Sequence, residues 1–204
     1  MLVRYAKTHL LPTGGYPNIY IVGGWVRDKI LGVDSDIPNV NIVVEGMEAT
    51  RYAASLTEYI RNYGNSLGKA NTGELEADFD DEAKFLNSAE AILYDIYVEM
   101  RSLRTRQQTY AEASIAEDAL FRDATINALY YSLNWKSLHD PTGKGLSDLY
   151  DKVLRPPIDA TKCFENDPVR ALRYIRLACS HDFTIAPEAM EVINSEWLRK
   201  ALRE

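Results

Sequence analysis

Ile19-Tyr20-Ile21-Val22-Gly23-Gly24-Trp25-Val26-Arg27-Asp28-Lys29-Ile30-Leu31-Gly32 is the stretch that decides how this chain is read. Four apolar or aromatic residues bounded by a Gly-Gly pair predict a buried strand over 19–22. The glycines then make a turn, and 25–31 predicts a short helix stopped by Gly32. A strand running through glycines into a helix start is a place where an anion can sit. The first N–H groups of a helix have no partner within the helix, and glycine lets a ligand approach them closely. An ordinary β-α turn is written with the same letters, so the pair alone assigns no ligand.

Outward from that stretch, 39–44 alternates toward a second strand closed by Glu45-Gly46. Residues 48–63 have helical periodicity, with Tyr52, Leu56, Tyr59, Ile60 and Tyr63 on one side. Residues 64–90 are polar and irregular. Their acidic run of Glu74, Glu76, Asp78, Asp80, Asp81 and Glu82 reads as a solvated loop. A strand is predicted near 96–100 and a helix over 117–133. A turn-rich connector follows Asp140-Pro141-Thr142-Gly143, then amphipathic helices over 167–180 and 187–202. No internal repeat is visible. The order predicts an α+β chain: a mixed β-sheet with helices packed on it over 1–140, followed by an all-α portion over 141–204.

Composition narrows the function classes. The chain has 204 residues, of which 46% are hydrophobic, enough for a real core. Mean hydropathy is −0.28, and no apolar run approaches the roughly 20 residues of a membrane span. The only cysteines, Cys163 and Cys179, form no CxxC motif, which argues against a disulfide scaffold and a zinc site and for a reducing, intracellular setting. A net charge of −7 is unusual for a protein that grips RNA alone, because phosphate binding wants Lys and Arg. Residues 1–17 carry Arg4 and Lys7 and no acid, without the serine and arginine richness of a transit peptide.

Five ordered segments carry a resemblance: the Gly23-Gly24 stretch above; Val43-Val44-Glu45-Gly46; 117–129, with Phe121-Arg122-Asp123; 140–149, starting Asp140-Pro141-Thr142-Gly143; and 164–173, with Asp167-Pro168-Val169-Arg170-Ala171-Leu172-Arg173. Together they resemble the class II tRNA nucleotidyltransferases and poly(A) polymerases, closest in wording to the eukaryotic CCA-adding branch. The resemblance implies a nucleotidyltransferase head followed by a helical neck. The body and tail domains of that family are absent from this sequence. It also implies nucleotide binding through Gly23, Gly24, Arg27, Asp28, Arg122, Asp123, Asp167, Arg170 and Arg173. Within it, 117–129 is the ribose-binding motif, 140–149 the hinge, and Asp167 with Arg170 the base-reading pair. Physically, a carboxylate and a guanidinium three apart on a helix can together face the edge of a cytosine or adenine. By spacing alone they would be a surface ion pair.

The departure lies at the metal strand. The family places Asp-x-Asp there, two carboxylates on one strand face that hold Mg²⁺. Here the register set by Val43-Val44-Glu45-Gly46 puts Asn39 and Asn41 in those positions, and asparagine offers a neutral carbonyl oxygen. The further strand acid falls on Ile96, with Asp95 one position away. Phe121 stands where an arginine is expected and Asn166 where an acid is expected. Asp34 and Asp36 form an Asp-x-Asp in a loop before Pro38 and are the alternative metal site. The expectation is therefore a pseudoenzyme with no cofactor, its fold retained as a structural or RNA-associated subunit of a larger ribonucleoprotein, in the mitochondrion or the cytoplasm. Two alternatives stand beside it. One is an active enzyme adding CCA or A to RNA 3′ ends with Mg²⁺. The other is a module binding CTP, ATP or RNA without chemistry.

Overall fold

The computed structural model describes residues 17–33, 39–63, 88–93, 96–105 and 113–203. They divide into two compact units: the described residues up to Asp118 with Tyr130–His139, and Ala119–Leu129 with 140–203.

The first unit is built on a six-stranded sheet in the order β3-β4-β2-β1-β5-β6. Its strands are β1 (Asn18–Val22), β2 (Asn39–Glu45), β3 (Ser88–Leu93), β4 (Ile96–Ser102), β5 (Tyr130–Ser132) and β6 (Ser137–His139). All neighbours are antiparallel except β2 and β4, so the sheet is mixed. The parallel pair requires a crossover, and helix α2 (Ala49–Tyr63) lies within it. Helix α2 packs on β2, β3 and β4 and buries Tyr52, Ala53, Leu56 and Ile60, a stripe at i, i+1, i+4 and i+8. Opposite it, alternation in β2 and β4 buries Val40, Ile42, Val44, Val98 and Met100. Helix α1 (Gly24–Leu31) follows β1 directly and ends on Gly32 in the left-handed conformation, as the sequence predicts. A short helix α3 (Ile115–Ala119) completes the unit. Its Asp118 is wholly buried and accepts from the Arg104 backbone N–H, Arg104 Nε and the Tyr130 hydroxyl.

The second unit carries α4 (Gly145–Tyr150), β7 (Val153–Leu154), α5 (Ala160–Asn166), α6 (Arg170–His181), β8 (Thr184–Ile185), α7 (Pro187–Ile193) and α8 (Glu196–Ala201). Strands β7 and β8 form a short parallel ladder among the helices. Leu129, Leu149, Leu154, Phe164, Tyr174 and Leu198 make the core, with Phe164 and Tyr174 edge to face at 5.3 Å.

Three expected elements are corrected. The helix expected over 117–133 is broken: α3 stops at Ala119, a 3-10 turn spans Thr125–Asn127, and β5 begins at Tyr130. Ala124 is extended, and Tyr130 and Tyr131 find ladder partners in Val22 and Ile21, so tertiary pairing overrides the helical spacing. The helix expected from 167 starts at Arg170, because Pro168 restricts Asp167 to extended backbone (φ −160°, ψ 96°). The helix expected over 187–202 is two, parted at Asn194-Ser195, where the Ser195 hydroxyl caps the second by accepting from the Leu198 N–H. The irregular reading of 64–90 also ends early, since β3 begins at Ser88.

Candidate functional site

In the first unit the Gly-Gly turn has a demanding backbone. Gly23 sits at φ 83° and ψ −149°, a region that essentially only glycine occupies. Behind it the Arg27 guanidinium is buried and grips the Asp28 carboxylate through both Nε and Nη2, at 2.8 and 2.7 Å. Arg27 Nη2 also lies 3.3 Å from where a Gly24 Cβ would be. The guanidinium thus lies over the start of α1 with its charge paired by Asp28.

Asn39 and Asn41 both lie in β2, two residues apart, and share a face. Asn39 is exposed and Asn41 half-buried. The Asn41 amide is turned toward the turn, its Nδ2 3.5 Å from where a Gly23 Cβ would sit. Its Oδ1 is sealed from solvent and accepts no hydrogen bond among the described residues. The parallel register sets Asn41 beside Glu99 and Asn39 beside Tyr97. Glu99 is ion-paired with Arg101, two residues on and on the same face. Across β3, Glu90 is the partner of Glu99 and holds the Tyr97 hydroxyl. That hydrogen bond, then burial, pushes the Tyr97 phenol up to about 12. Ile96 falls on the opposite face, in phase with Val98 and Met100. Sequence reasoning did not single out Glu99; the strand alternation was legible, but the pairing register was not. Asp34, Asp36 and Asp95 lie outside the described residues, as does the acidic run.

In the second unit the structure gathers the 121–123 turn, the end of α5 and the start of α6. Arg170 is buried. Its Nη2 donates to the Phe121 carbonyl at 2.7 Å and its Nη1 to the Cys163 carbonyl at 3.2 Å. Asp167 stands before the helix. Its Oδ1 accepts from the Val169 N–H, and its Oδ2 lies 3.8 Å from Arg170 Nε. The two residues are therefore neighbours at a helix start, not members of one helical face. Asp123 Oδ1 accepts from the Ala124 N–H and from Asn127 Nδ2, closing the 3-10 turn. Arg122 is half-buried and Arg173 exposed.

The hinge segment is ordered by its own side chains. Asp140 accepts from Thr142 Oγ1 and from the Leu146 N–H. Asp148 is buried and accepts from Thr125 Oγ1 and Arg155 Nε. Gly145 is required here, since a Cβ would stand 2.8 Å from the Thr125 carbonyl oxygen and from Leu129 Cδ2. A cavity of about 750 Å³ opens in this unit beside Thr142, Lys144, Arg155, Glu191 and Trp197. It touches none of Arg122, Asp123, Asp167, Arg170 or Arg173.

Comparison with known proteins places these features in a family frame. Residues 19–155 match the model described as Poly A polymerase head domain. The chain is 34% identical over 198 residues to tRNA nucleotidyltransferase cca1 of Schizosaccharomyces pombe, covering 92% of this chain and 38% of that protein. It is 38% identical over 178 residues to the mitochondrial CCA tRNA nucleotidyltransferase of Saccharomyces cerevisiae, covering 83% of this chain and 32% of that one. A tRNA nucleotidyltransferase solved with a primer tRNA and an incoming ATP analog superposes with a TM-score of 0.70 at 29% identity, over 100% of this chain and 50% of that one. A CCA-adding enzyme solved with ATP gives 0.73 at 26% identity, over 99% and 42%. The chain thus spans half or less of each of these relatives.

Proposed function

Because the chain belongs to the family of the Poly A polymerase head domain, we propose that it keeps a CCA-adding nucleotidyltransferase fold without the transfer chemistry. Its role in this reading is that of a structural or RNA-associated subunit of a larger assembly. The observation that carries the reading is Asn41. It stands on the strand face where the family resemblance expects a metal-binding carboxylate, and its side-chain oxygen is sealed and has no partner among the described residues. Asn39 supplies no charge, and the one described carboxylate in register with Asn41, Glu99, is already paired with Arg101. Two Mg²⁺ ions need several charged oxygens that can reach solvent-borne metal. The described donor set does not fit them.

The test is incorporation of labelled CTP and ATP into a tRNA lacking its 3′ end. No product is expected, and none from the double variant Asn39→Asp with Asn41→Asp either, since residues acting as one catalytic unit do not add independently. Robust CCA addition by the native chain would overturn the reading and point to Asp34 and Asp36. Addition by the double variant alone would confine the departure to two positions.

A second reading, nucleotide or RNA binding without chemistry, is favoured by the Gly23 turn with Arg27 behind it and by the exposed Arg173. Relatives solved with tRNA and with ATP or CTP support its ligand class. A ligand raises the melting temperature only of a state it binds. The non-catalytic structural role predicts nearly no shift with CTP and Mg²⁺; a rise of several degrees would favour binding. The mitochondrial name of one relative supports a mitochondrial setting, with the cytoplasm as the other. Among the described residues no helix is long and apolar enough to cross a membrane.

A further inference from the structure

We infer that Arg170 is a positioning residue: with Cys163 and Tyr174 it clasps the 121–123 turn by its main-chain carbonyls, and so sets how Arg122 and Asp123 are presented. The turn follows α3, and the Phe121 and Asp123 carbonyls are met by side-chain donors. Buried carbonyls must find donors elsewhere. Phe121 O takes the Arg170 Nη2 proton at 2.7 Å. Asp123 O takes two, from the Tyr174 hydroxyl at 2.7 Å and from the Cys163 thiol at 3.6 Å. Arg170 Nη1 closes the ring by donating to the Cys163 carbonyl and lying 3.2 Å from the Cys163 sulfur. One guanidinium fork therefore joins the end of α5 to the turn.

A base edge would have to share that fork, whose terminal nitrogens carry two protons each. Here Nη1 and Nη2 both point at protein carbonyls, and the side chain is only 10% exposed. Burial holds the Tyr174 phenol well above its ordinary range and pushes the Cys163 thiol up, so both keep the protons they donate. At 121, where the family resemblance expects an arginine, the clasp takes hold of the backbone carbonyl, which phenylalanine supplies equally well. Asp123 Oδ1 is committed to the Ala124 N–H and Asn127, which turns the carboxylate into a fixed group with Oδ2 left over. That this oxygen would meet a ribose rests on the nucleotide-binding reading; the clasp does not.

Hydrogen exchange on the ligand-free chain decides the matter. Arg170→Lys keeps the charge but cannot bridge two carbonyls. It should speed exchange of the Thr125, Asn127 and Ala128 amides about tenfold or more while β1 and β2 stay as in the native chain. Tyr174→Phe, which keeps the shape, should speed the same amides less. It decides the question if the lysine variant does not fold. Native exchange in both variants would overturn the clasp. Titration with CTP, ATP and GTP separates the roles. A positioning residue weakens all three alike in Arg170→Lys, whereas a base reader changes their ranking and leaves the turn's exchange unchanged. If the native chain binds none of them, nucleotide binding fails as a reading, and the exchange result still stands or falls alone.

Discussion

Two polar regions of this molecule are built on opposite terms. Around the 121–127 segment of the second unit, polar atoms are committed: Arg170, Tyr174 and Cys163 to carbonyls, Asp123 to its own turn, Asp148 to Thr125 and Arg155. On the Asn39/Asn41 face of β2, an oxygen is sealed with no partner among the described residues, and the neighbouring charges of Glu99 and Arg101 neutralise one another. The difference teaches where substitution is cheap. A loop held by its backbone tolerates a new side chain but not a lost donor. A strand face whose ladder is independent of side chains tolerates a new side chain outright, and it is there that the proposed loss of two acids falls.

The comparison can be broken at several points. Asp148→Ala should have the largest effect, a loss of about 3 kcal/mol in denaturant unfolding, because it strands the buried Thr125 hydroxyl and leaves Arg155 with Glu188 alone; a loss under about 1 kcal/mol would mean the second unit's polar contacts are ornamental. Gly145→Ala follows. A helical Gly→Ala change ordinarily stabilises by about 1 kcal/mol, but the 2.8 Å approach to backbone at Thr125 should reverse the sign and cost about 2 kcal/mol. An increase in melting temperature for this variant would show that the segment can yield. On the sheet face, Asn41→Val should stabilise by about 1 kcal/mol, since it deletes an unsatisfied acceptor and suits a strand; destabilisation would mean that the amide has a partner after all. The smallest effect concerns Tyr97. Its phenol, raised to about 12 chiefly by the bond to Glu90, favours the protonated form, so its contribution is full below the ordinary tyrosine range and fades as pH climbs through about 12. Glu90→Gln should bring that ultraviolet titration step down, with a small loss of stability at neutral pH where the contribution is full. A step that stays put would remove Glu90 as its cause.

Much of this was legible in the letters. The strand–Gly-Gly–helix opening, the second strand with its paired asparagines, the amphipathic stripe of Tyr52, Leu56 and Ile60, and the ordered segments of the family resemblance are all local patterns. They are set by spacing within one element and by backbone demands that glycine and proline state directly. The sequence by itself therefore determined the α+β class, the order of the main elements and the sharing of one face by Asn39 and Asn41. Tertiary structure alone decided what those residues meet. Tyr130 and Tyr131 became a strand because β1 offered ladder bonds, against a helical spacing. Glu99, rather than Ile96, came to lie beside Asn41, because a parallel register is chosen by the whole sheet and a shift of one residue reverses every side chain. Arg170 turned inward and donates to the carbonyls of Phe121 and Cys163, acceptors that come together only once the chain has folded.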